Sequence, residues 1–484
     1  MDSQNTKSKV LSSLFWKLME RGGTQGIQFI VQIVLARLLL PEDYGIIALV
    51  VIFTTIAGVF VQSGLNTALI QKKETDEADF SSVFYLSLSV AFLVYIILFF
   101  AAPYIAVFYG IPQITAVFRV LSMILFLGAF NSIQNAVVAR NLQFKKLFFS
   151  STGAILISGA VGIYMAYTGY GVWALVGQQI SNQLLVTLIL WFTVKWRPHL
   201  VFSFEKVKGL LSFGWKLLVS ALIDTIYEDL RSLIIGKMFN PAVLGLYNRG
   251  QQFPSVIVSN VDGSIQSVML PVLSSHQDDR PRVKAMMRRG IVTSSFIVFP
   301  LMVGLAVTAE PLVKLLLTDK WLPCVPFLQI FCATYALWPI HTANLQAINA
   351  LGRSDIFLKL EIIKKIVGLA ILAITIFYGV YAISLGGAIG GIISTFINAY
   401  PNRHLLGYSY KEQWGDIMPS LLLSLVMGAV VYSFKWLGLS AVGTLLLQVC
   451  VGAVLYLGLA WLIKLECFSY ILSTFKEIQV RDGS

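Results

Sequence analysis

Ionisable and amide side chains are concentrated in three otherwise apolar stretches of this chain. An ionisable group inside a membrane costs roughly 2.5–3.5 kcal/mol on insertion scales, so one without a structural reason is a functional candidate. The candidates are Lys17, Arg21, Gln25 and Gln28 in the first stretch, Lys216, Asp224 and Glu228 in the second, and Arg249, Gln252, Asn260 and Asp262 in the third. Their chemistry is that of binding and ion coupling.

Four of these residues are cations that could bind phosphate. The tripeptide WKL occurs at 16–18 and again at 215–217, which puts Lys17 and Lys216 at matching positions. Two cations that meet across a cleft could receive a diphosphate headgroup, although both could instead anchor the chain to membrane phosphates. Arg249 lies near the outer end of its stretch, where it could bind a departing phosphate or act as an interfacial cation. We predict headgroup-binding cations at Lys17, Arg21, Lys216 and Arg249.

The carboxylates suggest ion coupling. Asp224 and Glu228 are four residues apart and share a helix face, while Glu228 and Arg231 are three apart and could pair. One interpretation is a proton- or cation-coupled carboxylate that faces a cavity. The other is an internal salt bridge that neutralises costly charges. We include Asp262 with Asp224 and Glu228 as a coupling or cavity carboxylate.

Amide side chains complete the predicted lining. They are Gln25, Gln28, Gln252 and Asn260. Two further groups could bind sugar hydroxyls or hold helices together. These groups are Gln178, Gln179, Asn182 and Gln183, and His341, Asn344, Gln346 and Asn349. The four cysteines and four histidines have no metal-ligand spacing, and no nucleophile elbow or phosphate loop occurs. We therefore predict no catalytic residue, metal or cofactor.

Composition identifies the class of protein. Hydrophobic residues make up 57% of the 484 residues, charged residues only 12%, and the mean hydropathy is +0.77. A soluble domain carries about 25% charged residues, so this is a membrane protein. The net charge of +12 comes mostly from short connections between apolar segments. This placement reflects membrane topology, and we predict no nucleic-acid partner.

About fourteen apolar segments are long enough to cross roughly 30 Å of hydrocarbon as helices. They lie at 11–36, 44–70, 80–102, 113–138, 147–168, 171–194, 209–238, 242–272, 288–310, 324–349, 357–378, 380–400, 414–436 and 440–463. Basic residues cluster in alternate connections, and the connections YTGYG and FYGVY contain none. The positive-inside rule therefore places both termini in the cytoplasm.

The chain contains an internal repeat. The pattern Arg37-x3-Pro41-x3-Gly45 returns as Lys237-x3-Pro241-x3-Gly245, an offset of 241 − 41 = 200. Six spans return each half to its starting side, so the halves are parallel repeats related by a pseudo-two-fold axis along the membrane normal. We predict an all-α polytopic protein with a polar cavity between spans 1, 2, 7 and 8. Its parts are a six-helix lobe at 1–200, a second at 201–410, and a C-terminal helix pair with a cytoplasmic tail at 411–484.

Several motifs resemble one family of transporters. The stretch LLPEDYGIIAL after the first span, and VARNLQFKKL, YGVWALVGQQI, LYNRGQQFP and NALGRSDIF further along, are similar to Wzx-type polysaccharide flippases. The similarity is greatest to the colanic-acid-exporter-like branch of the multidrug/oligosaccharidyl-lipid/polysaccharide exporter superfamily. The resemblance implies two six-helix lobes, a V-shaped cavity and alternating access. It also implies that the final helix pair holds a lipid tail.

The same resemblance implies the cargo and its setting. The cargo would be an undecaprenyl-diphosphate-linked oligosaccharide, moved from the inner to the outer leaflet of a bacterial inner membrane for exopolysaccharide, capsule or O-antigen synthesis. Membrane lipids and a polysaccharide polymerase would be partners.

Two other functions remain open at this stage. A proton- or cation-coupled multidrug antiporter of the same fold would need an anionic cavity, whereas cationic and anionic groups are mixed here. A membrane-embedded glycosyltransferase or polymerase would need a long outward loop with clustered charges, and no connection is long enough. We therefore predict a flippase and not an enzyme.

Overall fold

The computed structural model describes residues 16, 19–62, 69, 72, 75–141 and 143–469, except for the side chains of Glu20, Arg21 and Phe213. Lys17 and the side chain of Arg21 lie outside this description, so their predicted roles stay predictions. The described residues form helices and no strands. This confirms the predicted all-α class.

Contacts between Cα atoms divide the chain into two compact units, Met1–Gly245 and Leu246–Ser484. In the first unit a short π-helical segment, Met19–Gly23, leads into the α-helices. These helices are α1 Thr24–Leu38, α2 Pro41–Gln62, α3 Glu77–Tyr109, α4 Gln113–Leu121, α5 Ile124–Arg140, α6 Phe144–Tyr167, α7 Val172–Thr193 and α8 Phe204–Met238.

The next helix, α9, begins in the first unit and continues into the second. The helices from this point are α9 Pro241–Ser274, α10 Arg280–Val307, α11 Ala309–Leu317, α12 Val325–Ala336, α13 Trp338–Ala350, α14 Ser354–Thr375, α15 Val380–Leu405, α16 Tyr410–Ser433 and α17 Ala441–Leu462. The division into two lobes and a C-terminal helix pair, with boundaries at 200/201 and 410/411, stays a prediction.

Within the described ranges, eleven helical segments are long and apolar enough to cross a membrane, or twelve if the bent α8 is one span. The chain is therefore a multi-pass membrane protein. The predicted span at 11–36 corresponds to the 15-residue α1 and to residues outside the described part. The predicted span at 357–378 corresponds to α14, which carries five charged residues. The count of fourteen stays a prediction.

Local chemistry explains where several helices begin, end and break. Asp76 and Asp79 form a capping box at the start of α3, and Gly110 ends that helix at φ 71°. The predicted span at 324–349 is broken at Leu337 into α12 and α13. Pro339 follows this break and lacks the N–H that a continuous helix would use. The span at 113–138 is likewise two helices, α4 and α5.

The connection between α7 and α8 is fixed to the first turns of α3. The Trp196 indole Nε1 donates to Glu77 Oε2 over 2.9 Å, and the backbone N–H groups of His199 and Ser203 donate to Ser81 and Ser82. These contacts set the position from which α8 departs.

An ion-pair network holds the ends of three helical segments in the second unit. The Arg288 guanidinium on α10 donates to Asp416 Oδ1 over 2.9 Å and to both carboxylate oxygens of Glu466 over 3.0 and 3.2 Å. The Tyr408 hydroxyl donates to the other oxygen of Asp416 over 2.7 Å. The Arg288 guanidinium holds the pKa of Glu466, which lies beyond α17, below its usual value of 4.5.

We predict that Arg288→Met lowers the melting temperature in detergent at pH 7 by about 1–4 °C, because Asp416 and Glu466 lose their shared cation. A lowered folded-state pKa stabilises the protein above the unfolded-state pKa, and the effect is lost as pH falls. The difference between wild type and variant should therefore shrink below pH 4.5. Arg282→Met, which alters an exposed side chain on the same helix, is the control. An equal effect of both variants would contradict the network's role.

Candidate functional site

Helix α8 carries an exposed polar stripe in its middle. No residue from 215 to 231 is buried. Lys216, Ser220, Asp224 and Glu228 follow one another at intervals of four residues, and all four are exposed. Residues four apart lie on one helix face, so these side chains form a single row about 18 Å long. We call this row the α8 stripe.

The α8 stripe needs water. Counted as one span, α8 exposes this row to hydrocarbon or to water, and three of the four side chains are ionisable. A single charge in hydrocarbon costs roughly 2.5–3.5 kcal/mol on insertion scales, and a row of them would cost several times more. Water adjoining the stripe is therefore the arrangement of lower free energy. Ser220 was missed by the sequence analysis, although its i, i+4 spacing was a usable signal.

Arg249 on α9 has a different environment. Its side chain is only 4% exposed, and its guanidinium carbon lies 5.1 Å from the centre of the fully buried Trp321 ring. The Nη1 group donates to Gln252 Oε1 over 2.5 Å. The structure thus brings the predicted Arg249 and Gln252 together, but inside the packed second unit. A cation–π contact and a charge-assisted hydrogen bond are therefore among the interactions that hold this guanidinium.

Asp262, also on α9, is a buried carboxylate, 7% exposed. Its Oδ1 accepts a short hydrogen bond from the Thr342 hydroxyl of α13, and its Oδ2 accepts from Gln266 Nε2 over 2.7 Å. Among the described residues it has no cationic partner. Buried charges are normally paired or bound to an ion, so this carboxylate is unusual.

The predicted amides have differing environments. Gln28 on α1 is half-buried, and its Oε1 is a buried acceptor with no hydrogen-bond partner among the described residues. Gln25 is half-buried as well. Asn260 is exposed, and its Nδ2 donates to the Val256 carbonyl of its own helix over 2.7 Å.

A second set of amides holds helices together. The buried Asn344 of α13 exchanges hydrogen bonds with Gln413 of α16 over 2.9 and 3.1 Å, and Asn402 of α15 donates to its Oδ1 over 2.8 Å. Both ring nitrogens of His341 have partners on α15, Thr395 and Asn398, each at 3.1 Å. Of the two interpretations from the sequence, these contacts favour helix packing over sugar binding.

Asn402 and Gln413 were not predicted from the sequence. Each lies in a helix distant from Asn344 along the chain, so no local spacing could have connected them. Within the described part of the chain, no group of three or more His, Cys, Asp or Glu side chains is placed to hold a metal ion.

Comparison with known proteins identifies relatives. Residues 34–326 match the family described as polysaccharide biosynthesis protein. The succinoglycan biosynthesis transport protein ExoT of Rhizobium meliloti is 22% identical over 461 residues, covering 92% of each chain. The teichuronic acid biosynthesis protein TuaB of Bacillus subtilis is 22% identical over 414 residues, covering 84% of this chain and 85% of that one.

Solved structures share the fold. The lipid II flippase MurJ in an inward closed conformation superposes with a TM-score of 0.73 at 16% identity, covering 95% of this chain and 98% of that chain. A multidrug resistance MATE family transporter in an inward-facing conformation gives a TM-score of 0.61 at 16% identity, covering 79% and 96%. At this identity the likeness concerns the fold alone.

We predict that Thr342→Val destabilises the protein by about 1–3 kcal/mol, because it leaves Oδ1 of the buried Asp262 without a donor. The measurement is the unfolding free energy in mixed micelles. Thr334→Val is the matched control, since the Thr334 hydroxyl bonds only a carbonyl of its own helix among the described residues. The cost should fall in an Asp262→Asn background. Equal costs for the two valine variants would show that the contact contributes little.

Proposed function

The chain belongs to the polysaccharide biosynthesis protein family, and we propose that it is a flippase that moves a polyprenyl-diphosphate-linked oligosaccharide from the inner to the outer leaflet. The observation that carries the proposal is the α8 stripe, a row of exposed ionisable and hydroxyl groups in the middle of an apolar chain. A cargo with a sugar head and a lipid tail needs a polar path for the head and adjoining hydrocarbon for the tail. A flippase supplies this combination.

The α8 stripe suits the head of this cargo. A diphosphate carries about two negative charges, which a Lys216 ammonium in contact with water can bind. The carboxylates of Asp224 and Glu228 are strong acceptors for sugar hydroxyl groups. Lys17 and Arg21 would add positive charge at the same end, and Gln25 and Gln28 would add amide contacts. The lipid tail would remain in hydrocarbon.

Arg249 is proposed to act as a positioning residue. Its burial against Trp321 and its bond to Gln252 support a role in holding the wall of the second unit, in place of direct binding to phosphate. Asn260 is one of the exposed polar residues of α9, and it would meet the cargo.

Asp262 is the carboxylate proposed for ion coupling. A buried carboxylate whose partners are a hydroxyl and an amide can be neutralised by a bound proton or monovalent cation, which would couple ion movement to the position of α9 and α13. The exposed Asp224 and Glu228 are less suited, because an exposed carboxylate has less need of a bound counter-ion than a buried one. An inside-negative potential would also push the diphosphate outward, by roughly 4–5 kcal/mol per 100 mV for two charges.

The proposal includes the cellular setting. We propose a bacterial inner membrane location with both termini in the cytoplasm, as the basic connections indicate. The polymerase that joins repeat units on the outer face would be the enzyme that consumes the transported product.

A strain that lacks this protein should lose one surface polysaccharide, because repeat units would no longer reach the outer leaflet. The lipid-linked repeat unit should accumulate on the cytoplasmic side, as measured by glycan analysis of the lipid fraction. Restoration by the intact gene is the control. Unchanged surface polymers together with altered resistance to cationic dyes would instead favour a multidrug antiporter.

Asp262→Asn should abolish the stimulation of flipping by an imposed pH or cation gradient, because the neutral amide cannot exchange the coupling ion. Asp224→Asn, the matched change on α8, should lower the rate but keep the stimulation. The assay is flipping of a fluorescent lipid-linked oligosaccharide in liposomes, with the membrane potential and the pH gradient collapsed separately. Full stimulation in Asp262→Asn would remove this residue from the coupling mechanism.

A further inference from the structure

The repeated pattern P-x3-G occupies the first turn of two equivalent helices. In α2 it is Pro41 to Gly45, and in α9 it is Pro241 to Gly245. Each helix follows its predecessor after a connection of two residues, 39–40 in one case and 239–240 in the other. Polar side chains fix both turns: Asp43 accepts from the Leu40 N–H over 2.9 Å, and Asn240 accepts from the Val243 N–H over 2.8 Å.

The two turns contact each other through their backbones. A Cβ atom on Gly45 would lie 1.7 Å from the carbonyl oxygen of Pro241. A Cβ atom on Gly245 would lie 2.0 Å from the carbonyl oxygen of Pro41 and 3.1 Å from the Gly45 nitrogen. The contact is thus reciprocal, and all four residues belong to the first unit. Only a hydrogen atom fits at either glycine.

Two other tightly packed glycines, Gly159 and Gly428, meet side chains, whereas Gly250 also meets main chain, at the Leu328 nitrogen and the Cys324 carbonyl oxygen. A Cβ atom on Gly159 would lie 2.7 Å from a methyl group of Val31, and one on Gly428 would lie 2.5 Å from a methyl group of Val303. Side chains can rotate away, whereas the proline carbonyl at a helix start is fixed by its own helix. The two glycines of the repeat thus each face a main-chain carbonyl group, which leaves no room for a side chain.

We propose that this reciprocal contact, the P-x3-G closure, seals one end of the transport path and parts in each cycle. Helix α8 connects the path to the closure, since it continues for ten residues, about 15 Å, beyond Glu228 before the second turn begins. The contact between the two main chains is itself weak. Beside it Leu49 of α2 is packed against α8, since a Cβ atom on Gly236 would lie 2.5 Å from its Cδ2 atom, so parting of the turns must also unpack Leu49. The passage of a lipid-linked head through it rests on the proposed function, but the parting of the turns does not.

On the proposed orientation the closure faces outward. Lys216 lies toward the opposite end of α8, so a head bound there would move along the stripe toward the P-x3-G closure. The closed state described here would then bind cargo from the cytoplasmic side, and release would require the two turns to separate.

The first test measures the separation of the turns without any cargo. Spin labels are placed on cysteines introduced at the exposed positions Leu40 and Met238, in a Cys450→Ser background because the other three native cysteines are buried. Gly45→Ala should shift the distance distribution to longer values, since the added methyl group meets the Pro241 carbonyl. Gly58→Ala on the same helix, where a Cβ meets nothing within 4 Å, should leave it unchanged. A distribution unaffected by Gly45→Ala in a folded protein would overturn the closure.

The second test asks whether the turns must part. A reducible bismaleimide that joins the cysteines at positions 40 and 238 should stop flipping in liposomes, and reduction should restore it. Protein with the single Leu40→Cys change, treated in the same way, is the control. Transport by the cross-linked protein at the uncross-linked rate would refute the proposal, even if Gly45→Ala failed to fold. If wild-type protein moved no lipid-linked oligosaccharide, the proposed function would fail, while the label distances would still test the closure.

Discussion

Hydrocarbon cannot solvate a charge, and this constraint governs where the membrane-spanning helices can place ionisable groups. Each such group must be paired, buried with hydrogen-bond donors, or in contact with water. Arg288 and Asp416 follow the first course, and Asp262 follows the second. For the α8 stripe, whose side chains are exposed in the middle of the helix, we propose the third. Function is expected where the protein keeps water inside the membrane.

The same constraint explains how helices approach one another. Apolar side chains gain little by association in lipid, so close packing depends on small residues and on polar contacts between helices. The hydrogen bonds of Asn344 with Gln413 and Asn402 are polar contacts between helices. The P-x3-G closure is close packing at small residues, in which two main chains touch. The first has directional hydrogen bonds to a buried amide and stabilises a fixed arrangement. The second brings two main chains into direct contact, and we propose that it is the one that parts.

Much of the fold could be predicted from the sequence, because span length and hydropathy are local properties. The break at Leu337 was missed, since apolar residues continue through it and only the backbone conformation marks it. The surroundings of the polar residues could not be predicted. Arg249 and Lys216 are both cations within apolar stretches, yet one is buried and the other exposed. Which face a helix buries depends on neighbours distant along the chain, and the contact between Gly45 and Pro241 depends on them entirely.

The central claim is that the α8 stripe borders water. Cysteines introduced at Asp224 and Glu228, in the Cys450→Ser background, can be tested with a membrane-impermeant, water-soluble thiol reagent applied to each side of inverted and right-side-out vesicles. Cysteines at Ile97 and Val454, which are exposed apolar positions on α3 and α17, provide the lipid-facing comparison. The account predicts rapid reaction at 224 and 228 from at least one side, and protection at 97 and 454. Protection at 224 and 228 equal to that at 97 and 454 would contradict it.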